Sequence, residues 1–133
     1  MQATDSLPEL PALQTAARAH AGLRLLILHG SRARGDAHLH SDWDFAYLAA
    51  PGLDPGALHA DLTLALGSDN VDLAPLEAAG GLLRYRAARD AVVVFESEPG
   101  VFYKFWFQAV SFWCDAEPVL RPHFKAILAE LDQ

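Results

Sequence analysis

The chain has 133 residues, of which 52% are hydrophobic, and its 10 basic and 17 acidic residues give a formal net charge of −7. This length predicts a single domain, residues 1–133, that is large enough to bury a core. Because nucleic-acid binding depends on Lys and Arg that neutralise phosphates, the charge argues against a broad nucleic-acid surface, and the single cysteine excludes an internal disulfide.

Hydrophobic periodicity and turn residues predict strands that alternate with helices. In chain order the predicted elements are a helix at 8–21, a strand at 23–29, a turn of helix at 31–35, a strand at 42–49, a helix at 55–66, a strand at 70–76, a helix at 76–89, a strand at 91–97 and helices at 100–114 and 117–131. This order predicts an α/β or α+β fold in which helices flank a small sheet.

The segment 101–113 contains seven aromatic residues, more than one buried helix face requires. On a helical wheel, the stripe predicted to face the sheet consists of Phe102, Phe105, Trp106, Ala109 and Trp113. A second group, Tyr103, Phe107 and Val110, falls to one side of that stripe. Two interpretations remain open. The helix at 117–131 covers the second group, or Tyr103 or Phe107 stays exposed in a protein interface, where aromatic residues are enriched.

The segment 28–48, LHGSRARGDAHLHSDWDFAYL, can be tested against known phosphate and metal motifs. Gly30 and Gly35 match the glycines of a P-loop, but Asp36 occupies the position of its lysine. A dinucleotide-binding fingerprint requires a glycine two residues after Gly30, where Arg32 is found. An EF-hand loop beginning at the SDWD run lacks the glycine and the glutamate that it requires. All three motifs are therefore excluded.

Three aspartates on predicted strands are candidate catalytic and metal-binding residues. Asp42 and Asp44 lie two residues apart in the strand at 42–49, so their side chains are expected to share one face. Asp72, in the strand at 70–76, can complete a cluster of three carboxylates. Such close charges repel unless a cation lies between them, and carboxylates suit Mg²⁺. Two ions ~3.5–4 Å apart would stabilise the attacking and leaving oxygens of a displacement at phosphorus.

The residues before these acids predict a phosphate-binding site. Gly30 and Ser31 lie where a strand passes into the start of a helix, and backbone amides there, together with the helix dipole, attract anions. Glycine lets the backbone approach a phosphate closely, and the Ser31 hydroxyl adds a donor. Arg32 or Arg34 adds positive charge, although at most one of the two is expected to face the phosphates.

The segment HGSRARGDAHLHSDWDFAYL resembles the minimal nucleotidyltransferases, or MNT proteins, of the DNA polymerase beta superfamily. The resemblance rests on Gly30-Ser31, Ala33, Gly35 and the run Ser41-Asp42-x-Asp44. NVDLAPL resembles the segment that carries the third acid of that family, here Asp72. The strong motif covers about residues 25–50, and a weaker similarity covers roughly 24–110. His29 departs mildly from the pattern, since such proteins often have an aromatic residue there.

The resemblance implies a nucleotidyltransferase fold with a mixed sheet, and transfer of a nucleoside monophosphate, expected to be AMP from ATP, with pyrophosphate as the leaving group. In this scheme Asp42 and Asp44 bind Mg²⁺, and Asp72 holds one metal and helps deprotonate the attacking hydroxyl. The nucleotide-binding residues are Gly30, Ser31, Arg32 and Arg34. The resemblance also implies an antitoxin that silences a HEPN-domain ribonuclease toxin by attaching AMP to a tyrosine.

Two alternative functions remain open. A small-molecule nucleotidyltransferase of the aminoglycoside type would suit an acidic protein, but such enzymes generally have an additional helical domain for which this chain has little room. An antitoxin that neutralises its partner by binding alone would not need all three acids. The N-terminal residues show no signal-peptide pattern, and no stretch approaches the roughly 20 apolar residues of a membrane helix. We therefore expect a cytoplasmic protein without membrane contact.

Overall fold

Four strands form one mixed sheet in the computed structural model, which describes residues 7–116. The elements in chain order are α1 (Leu10–Arg18), β1 (Leu23–His29), α2 (Ser31–Arg34), β2 (Trp43–Ala49), α3 (Pro55–Leu66), β3 (Val71–Pro75), a 3₁₀ turn (Leu76–Ala78), α4 (Gly81–Asp90), β4 (Val92–Glu96) and α5 (Val101–Ala116). The strand order is β3-β2-β1-β4, with β1 antiparallel to β2 and β4 and with β2 parallel to β3. This arrangement confirms the predicted fold class.

Helices cover both faces of the sheet, and each face has its own hydrophobic core. On one face α1 and α3 pack against apolar side chains of all four strands, with Leu13 and Leu58 fully buried. On the other face α4 and α5 pack against the alternate side chains of β1 and β2, including Ile27 and Ala46. Because side chains alternate along a strand, the direction of each strand residue follows from its neighbours in these two cores.

The predicted and observed element limits agree closely at β1 and α3. The helix predicted at 8–21 is shorter, Leu10–Arg18, and two further predictions differ for reasons that the structure shows. The strand predicted at 42–49 begins one residue later, at Trp43, whose N–H donates to the Asn70 carbonyl at 2.8 Å. The helix predicted at 76–89 is divided into the 3₁₀ turn and α4, because Ala79 and Gly80 are extended. The helix predicted at 117–131 lies outside the described residues.

The aromatic helix α5 confirms most of the predicted inward-facing stripe. Phe105, Trp106 and Ala109 are buried against the sheet and α4. Val110, which was placed beside the stripe, is buried in the same core. Two aromatic residues of the second group remain exposed, at 65% for Tyr103 and 54% for Phe107. In the described part of the chain, no helix has the length and apolar character needed to cross a membrane.

Helix α3 begins at a defined capping contact. Asp54 has an extended backbone, and its side chain accepts a hydrogen bond from the Ala57 N–H at 3.2 Å. Pro55 then occupies the first turn, where its fixed φ suits a helix and its missing N–H is not needed.

We expect Asp54→Ala to lower the free energy of unfolding by about 1 kcal/mol, because the Ala57 N–H loses its cap. Asp69→Ala is the matched control, since Asp69 is also an exposed aspartate in a loop but caps no helix. Urea denaturation of both variants checks the prediction. An equal loss in the two variants would show that the cap contributes nothing.

Candidate active site

Three strands carry polar side chains in one row across the end of the sheet. His29 of β1 is the direct cross-strand partner of Asp44 in β2, and Asp44 is in turn the direct partner of Asp72 in β3. Direct partners project to the same face of a sheet. Phe45 and Val71 belong to the core beneath α1 and α3, so the row faces the side of α4 and α5. The sheet therefore brings two of the three predicted acids side by side.

Asp42 occupies a different position from the one predicted. It lies exposed in the loop immediately before β2 and is not part of the strand. It is nevertheless close enough for its charge to act on the Asp44 carboxyl. The strand begins one residue later than predicted because β2 pairs with β3 only from Trp43 onward.

Burial and like charge shape the protonation of this row. Burial raises the pKa of Asp44 above the ordinary carboxyl value, and the charges of Asp42 and Asp72 add to this effect against the opposing influence of His29. Burial also lowers the pKa of His29, although the nearby carboxylates oppose this shift. An imidazole with a lowered pKa is mostly neutral at pH 7 and supplies little counter-charge. The carboxylates of this row are therefore short of positive charge.

Position 30 requires a glycine for two reasons: the backbone conformation there and the close approach of the Asp44 side chain. Its φ of +74° and ψ of −158° lie in a region that essentially only glycine occupies. A Cβ built on Gly30 would lie 2.5 Å from Oδ2 of Asp44, which is too close for two non-bonded atoms. The glycine was predicted to make room for a phosphate, and in the structure it makes room for the Asp44 carboxylate.

Ser31 begins the four-residue helix α2 directly after this turn. The N–H groups of Ala33 and Arg34 both donate to the Gly30 carbonyl, which closes the first turn. The first amides of a helix have no carbonyl one turn earlier to bond to. Within the described residues the Ser31 hydroxyl makes no hydrogen bond. Ser31 therefore keeps donors beside Asp44 that a ligand can use.

Arg32 contacts the loop before β2. Its Nη2 donates to the carbonyls of Ser41, at 3.0 Å, and Leu39, at 3.3 Å. The guanidinium carbon lies 4.5 Å from the centre of the Trp43 ring, a cation–π distance. These contacts fix the loop that carries Asp42, so Arg32 acts on the site through the backbone in this structure.

Arg34 lies between two carboxylates, one exposed and one buried. Its Nε donates to Asp36 at 3.2 Å and its Nη1 donates to Asp90 at 3.1 Å. Asp90 also accepts two hydrogen bonds from Arg89, at 2.9 and 3.2 Å. Burial alone would raise the pKa of Asp90, but the hydrogen bonds from Arg89 and Arg34 outweigh it and hold the pKa below the ordinary value. The charge of Arg34 also reaches Asp44 and His29.

Asp90 was not recognised from the sequence. Among the described residues it is the one charged or polar residue that is buried, at 7% exposure. The available signal was local: an Arg-Asp pair, Arg89-Asp90, at the end of a helix and directly before a β-branched strand. That pattern gives no hint of Arg34, which is 56 residues away in the chain.

The donor set fits Mg²⁺ in its chemistry and backbone placement, since Mg²⁺ prefers carboxylate oxygens. Across residues 7–116, however, no three His, Cys, Asp or Glu side chains stand close enough together to hold a metal ion. Asp42 and Asp72 are both exposed, and neither makes a side-chain hydrogen bond within this part of the chain. Each can therefore turn toward Asp44 without breaking a contact.

The sequence matches the profile of the family described as Polymerase beta, Nucleotidyltransferase over residues 12–99. This range contains the whole row of polar side chains and all four strands. The chain belongs to this nucleotidyltransferase family.

Among individual proteins, the chain is 33% identical over 97 residues to the protein adenylyltransferase MntA of Aphanizomenon flos-aquae (strain 2012/KM1/D3). The match covers 62% of this chain and spans 63% of the length of that relative. A crystal structure of a toxin–antitoxin with AMP-PNP is 25% identical, covers 92% of this chain and 99% of its own, and superposes with a TM-score of 0.69.

A third match is a structure of the tri-AMPylated Shewanella oneidensis HEPN toxin in complex with MNT antitoxin, at 22% identity and a TM-score of 0.63. It covers 90% of this chain and 96% of its own chain. At this identity the likeness shows the fold, and it agrees with the mixed sheet described above.

We expect Gly30→Ala to lower the free energy of unfolding by about 1–3 kcal/mol and to weaken the binding of Mg²⁺ and AMP-PNP, because the new Cβ displaces Asp44. Gly35→Ala is the control for a substitution at a positive φ without displacement of a side chain. Gly35 also has a positive φ, of +84°, but a Cβ there meets nothing within 4 Å. Calorimetric titration should show weaker ligand binding for Gly30→Ala alone. Equal weakening in both variants would contradict the role of the Asp44 contact.

We expect Asp90→Asn to lower the free energy of unfolding by about 2 kcal/mol, less than the loss of a fully buried ion pair because Arg34 and Arg89 are partly exposed. Asp36→Asn removes the other, exposed partner of Arg34 and should change stability by less than about 0.5 kcal/mol.

The same pair of variants has a characteristic pH dependence. Because the folded-state pKa of Asp90 is lowered, its contribution is present above the pKa of an unfolded aspartate and is lost as the pH falls through the folded-state value. Urea denaturation between pH 7 and pH 2 should show the wild type and Asp90→Asn converging at low pH. A constant difference across this range would exclude the ionised form of Asp90 as the source of stability.

Proposed function

We propose that this chain is a Mg²⁺-dependent adenylyltransferase that transfers AMP from ATP to a protein, and that the acceptor is a HEPN-domain toxin which the chain neutralises as its antitoxin. The observation that carries this proposal is the pairing of Asp44 with Asp72 across β2 and β3, directly beside the Gly30-Ser31 turn. Carboxylates next to free amide donors form a site that suits a metal-bound triphosphate.

The residues of the site have separate proposed tasks. Asp42, Asp44 and Asp72 would hold Mg²⁺, which when bound supplies positive charge to the triphosphate and to the reacting phosphorus. The Ser31 hydroxyl and the amides of the turn would donate hydrogen bonds to phosphate oxygens. Arg32 keeps the Asp42 loop in place through the Ser41 carbonyl.

Arg34 is the residue placed to add positive charge beside these acids. Its guanidinium is held by Asp90 and Asp36, and its charge acts on Asp44. We propose that it contacts the phosphates of the nucleotide, while Arg32 does not.

In the transfer step, the oxygen of an acceptor tyrosine would form a bond to the α-phosphorus. The bond from that phosphorus to the oxygen bridging to the β-phosphate breaks, and pyrophosphate leaves with the electron pair. The hydroxyl proton would pass to an Asp72 carboxylate oxygen, which is exposed and can receive it. The lowered pKa of His29 keeps its imidazole neutral, so it does not draw Asp44 away from a metal.

The relatives support the acceptor and the partner. One is called a protein adenylyltransferase, and one solved structure combines a toxin–antitoxin with AMP-PNP. In the Shewanella oneidensis complex, the protein bound to MNT antitoxin is a tri-AMPylated HEPN toxin.

The test measures transfer directly. The purified chain, MgATP and the HEPN-domain protein of the same genome are incubated together, and intact mass spectrometry detects added AMP. We expect Asp44→Asn and Asp42→Asn each to reduce the transfer rate by at least about 10²-fold, as expected for the loss of an electrostatic contact in the transition state. Without metal, Asp44→Asn should be at least as stable as the wild type, because a buried carboxyl with a raised pKa no longer ionises.

Asp69→Asn serves as the control, since it removes an exposed aspartate that lies near β3 but outside the row. Transfer at the wild-type rate by a double variant of Asp42 and Asp44 would disprove the assignment of the metal site. Full neutralisation of the toxin by that variant, without AMP transfer, would instead favour an antitoxin that acts by binding alone.

A further inference from the structure

Three cationic side chains, Arg24 of β1, Arg84 of α4 and Lys104 of α5, line one cavity of about 270 Å³. The chain as a whole has 10 basic and 17 acidic residues, so the charge of this cavity is opposite in sign to the net charge of the chain. One acid, Glu77, is also part of the lining. No carboxylate of residues 7–116 lies within 4.0 Å of any of the three cationic groups. The cavity therefore presents positive charge that the described residues do not neutralise.

Arg84 is held in place before any ligand arrives. Its Nη1 donates to the Leu76 carbonyl at 2.9 Å, and its guanidinium carbon lies 5.4 Å from the centre of the Phe105 ring. Holding a side chain in its bound position reduces the entropy that binding costs. Arg24 and Lys104 are exposed at the rim and are free to move toward an anion.

The cavity is separate from the row of acids but lies on the same face of the sheet. Leu48 of β2 lines the cavity, and Asp44 precedes it by four residues on the same side of the strand. This spacing corresponds to roughly 13 Å along the strand. Helix α4 connects the two places, since Arg84 lies in its first half and Asp90 at its end.

The dimensions and surroundings of the cavity favour a protein side chain as its occupant. Small-molecule sites usually have volumes of about 300–1,000 Å³, so this cavity of about 270 Å³ is small for a whole nucleotide. On α5, Tyr103 and Phe107 are exposed next to Lys104. Exposed aromatic residues are enriched as anchors in protein interfaces.

We propose that this cavity receives a carboxylate side chain of the protein partner, while Tyr103 and Phe107 contact apolar side chains around that acid. This proposal rests on the proposed function in one respect: the protein that docks here is taken to be the AMP acceptor. A standard interface involves about 20–30 residues on each side, so one partner can cover both the cavity and the row of acids. Docking at the cavity would then place an acceptor hydroxyl over Asp44 and Asp72.

The experiment uses two probes and one pair of variants. Lys104→Glu reverses the charge at the cavity, and Arg86→Glu makes the same charge change at an exposed position on α4 outside the cavity. The first probe is a hexaglutamate peptide, titrated into the full chain while the amide NMR signals of residues 101–108 are followed. The second probe is the HEPN-domain protein of the same genome, whose affinity is measured by calorimetry. Affinity for AMP-PNP is measured in parallel.

We expect hexaglutamate to shift these signals in the wild type and in Arg86→Glu but not in Lys104→Glu. Lys104→Glu should weaken partner binding at least tenfold and leave the affinity for AMP-PNP unchanged. Equal losses in both variants, or none in Lys104→Glu, would overturn the carboxylate site. A positive peptide result with unchanged partner affinity would overturn the docking role. If the wild type neither binds the partner nor transfers AMP, the proposed function fails, and the peptide titration still decides whether the cavity binds carboxylates.

Discussion

The pairing of Asp44 with Asp72 across β2 and β3 is the constraint on which the rest of the site depends. It places two carboxylates side by side, one of them half-buried, in a row whose third member is a neutral histidine. Burial and like charge both oppose ionisation of Asp44. Three neighbouring features go with this pairing. Gly30 leaves room for the Asp44 carboxylate, and the donors of Ser31 attract an anion. The paired carboxylates themselves attract a cation.

The two arginines of α2 have different roles beside this row: Arg32 holds a loop in place, and Arg34 supplies positive charge. Arg32 is committed to the loop carbonyls and to Trp43, so it shapes the entrance without facing the acids. Arg34 is held by Asp90, and Asp90 is itself held by Arg89. A buried carboxylate between two guanidinium groups keeps positive charge at a fixed distance from Asp44. This arrangement is built by residues far apart in sequence, at the end of α2 and the end of α4.

The sequence was informative wherever the relevant signal was local. The limits of β1 and α3 followed from an apolar run ending at Gly30, from Pro55 near the first turn of the helix and from Gly67 after its last turn. The neighbouring positions of Asp44 and Asp72 followed from their places on separate strands. Two features could not be predicted from the sequence, because they depend on how distant strands and helices pack together. Asp42 falls outside β2 because β3 starts to pair only at Trp43, and the partner of Arg34 lies 56 residues away.

The parallel direction of β2 and β3 has a consequence for the order in which the sheet assembles. β1 and β2 are joined by residues 30–42 and can pair early, whereas β3 must wait until the chain has crossed through α3. The later pairing is the one that brings Asp72 beside Asp44, so electrostatic repulsion opposes a late step of folding. A divalent cation that relieved this repulsion would speed this late pairing, and the concentration of free metal would then influence how quickly newly made chains fold.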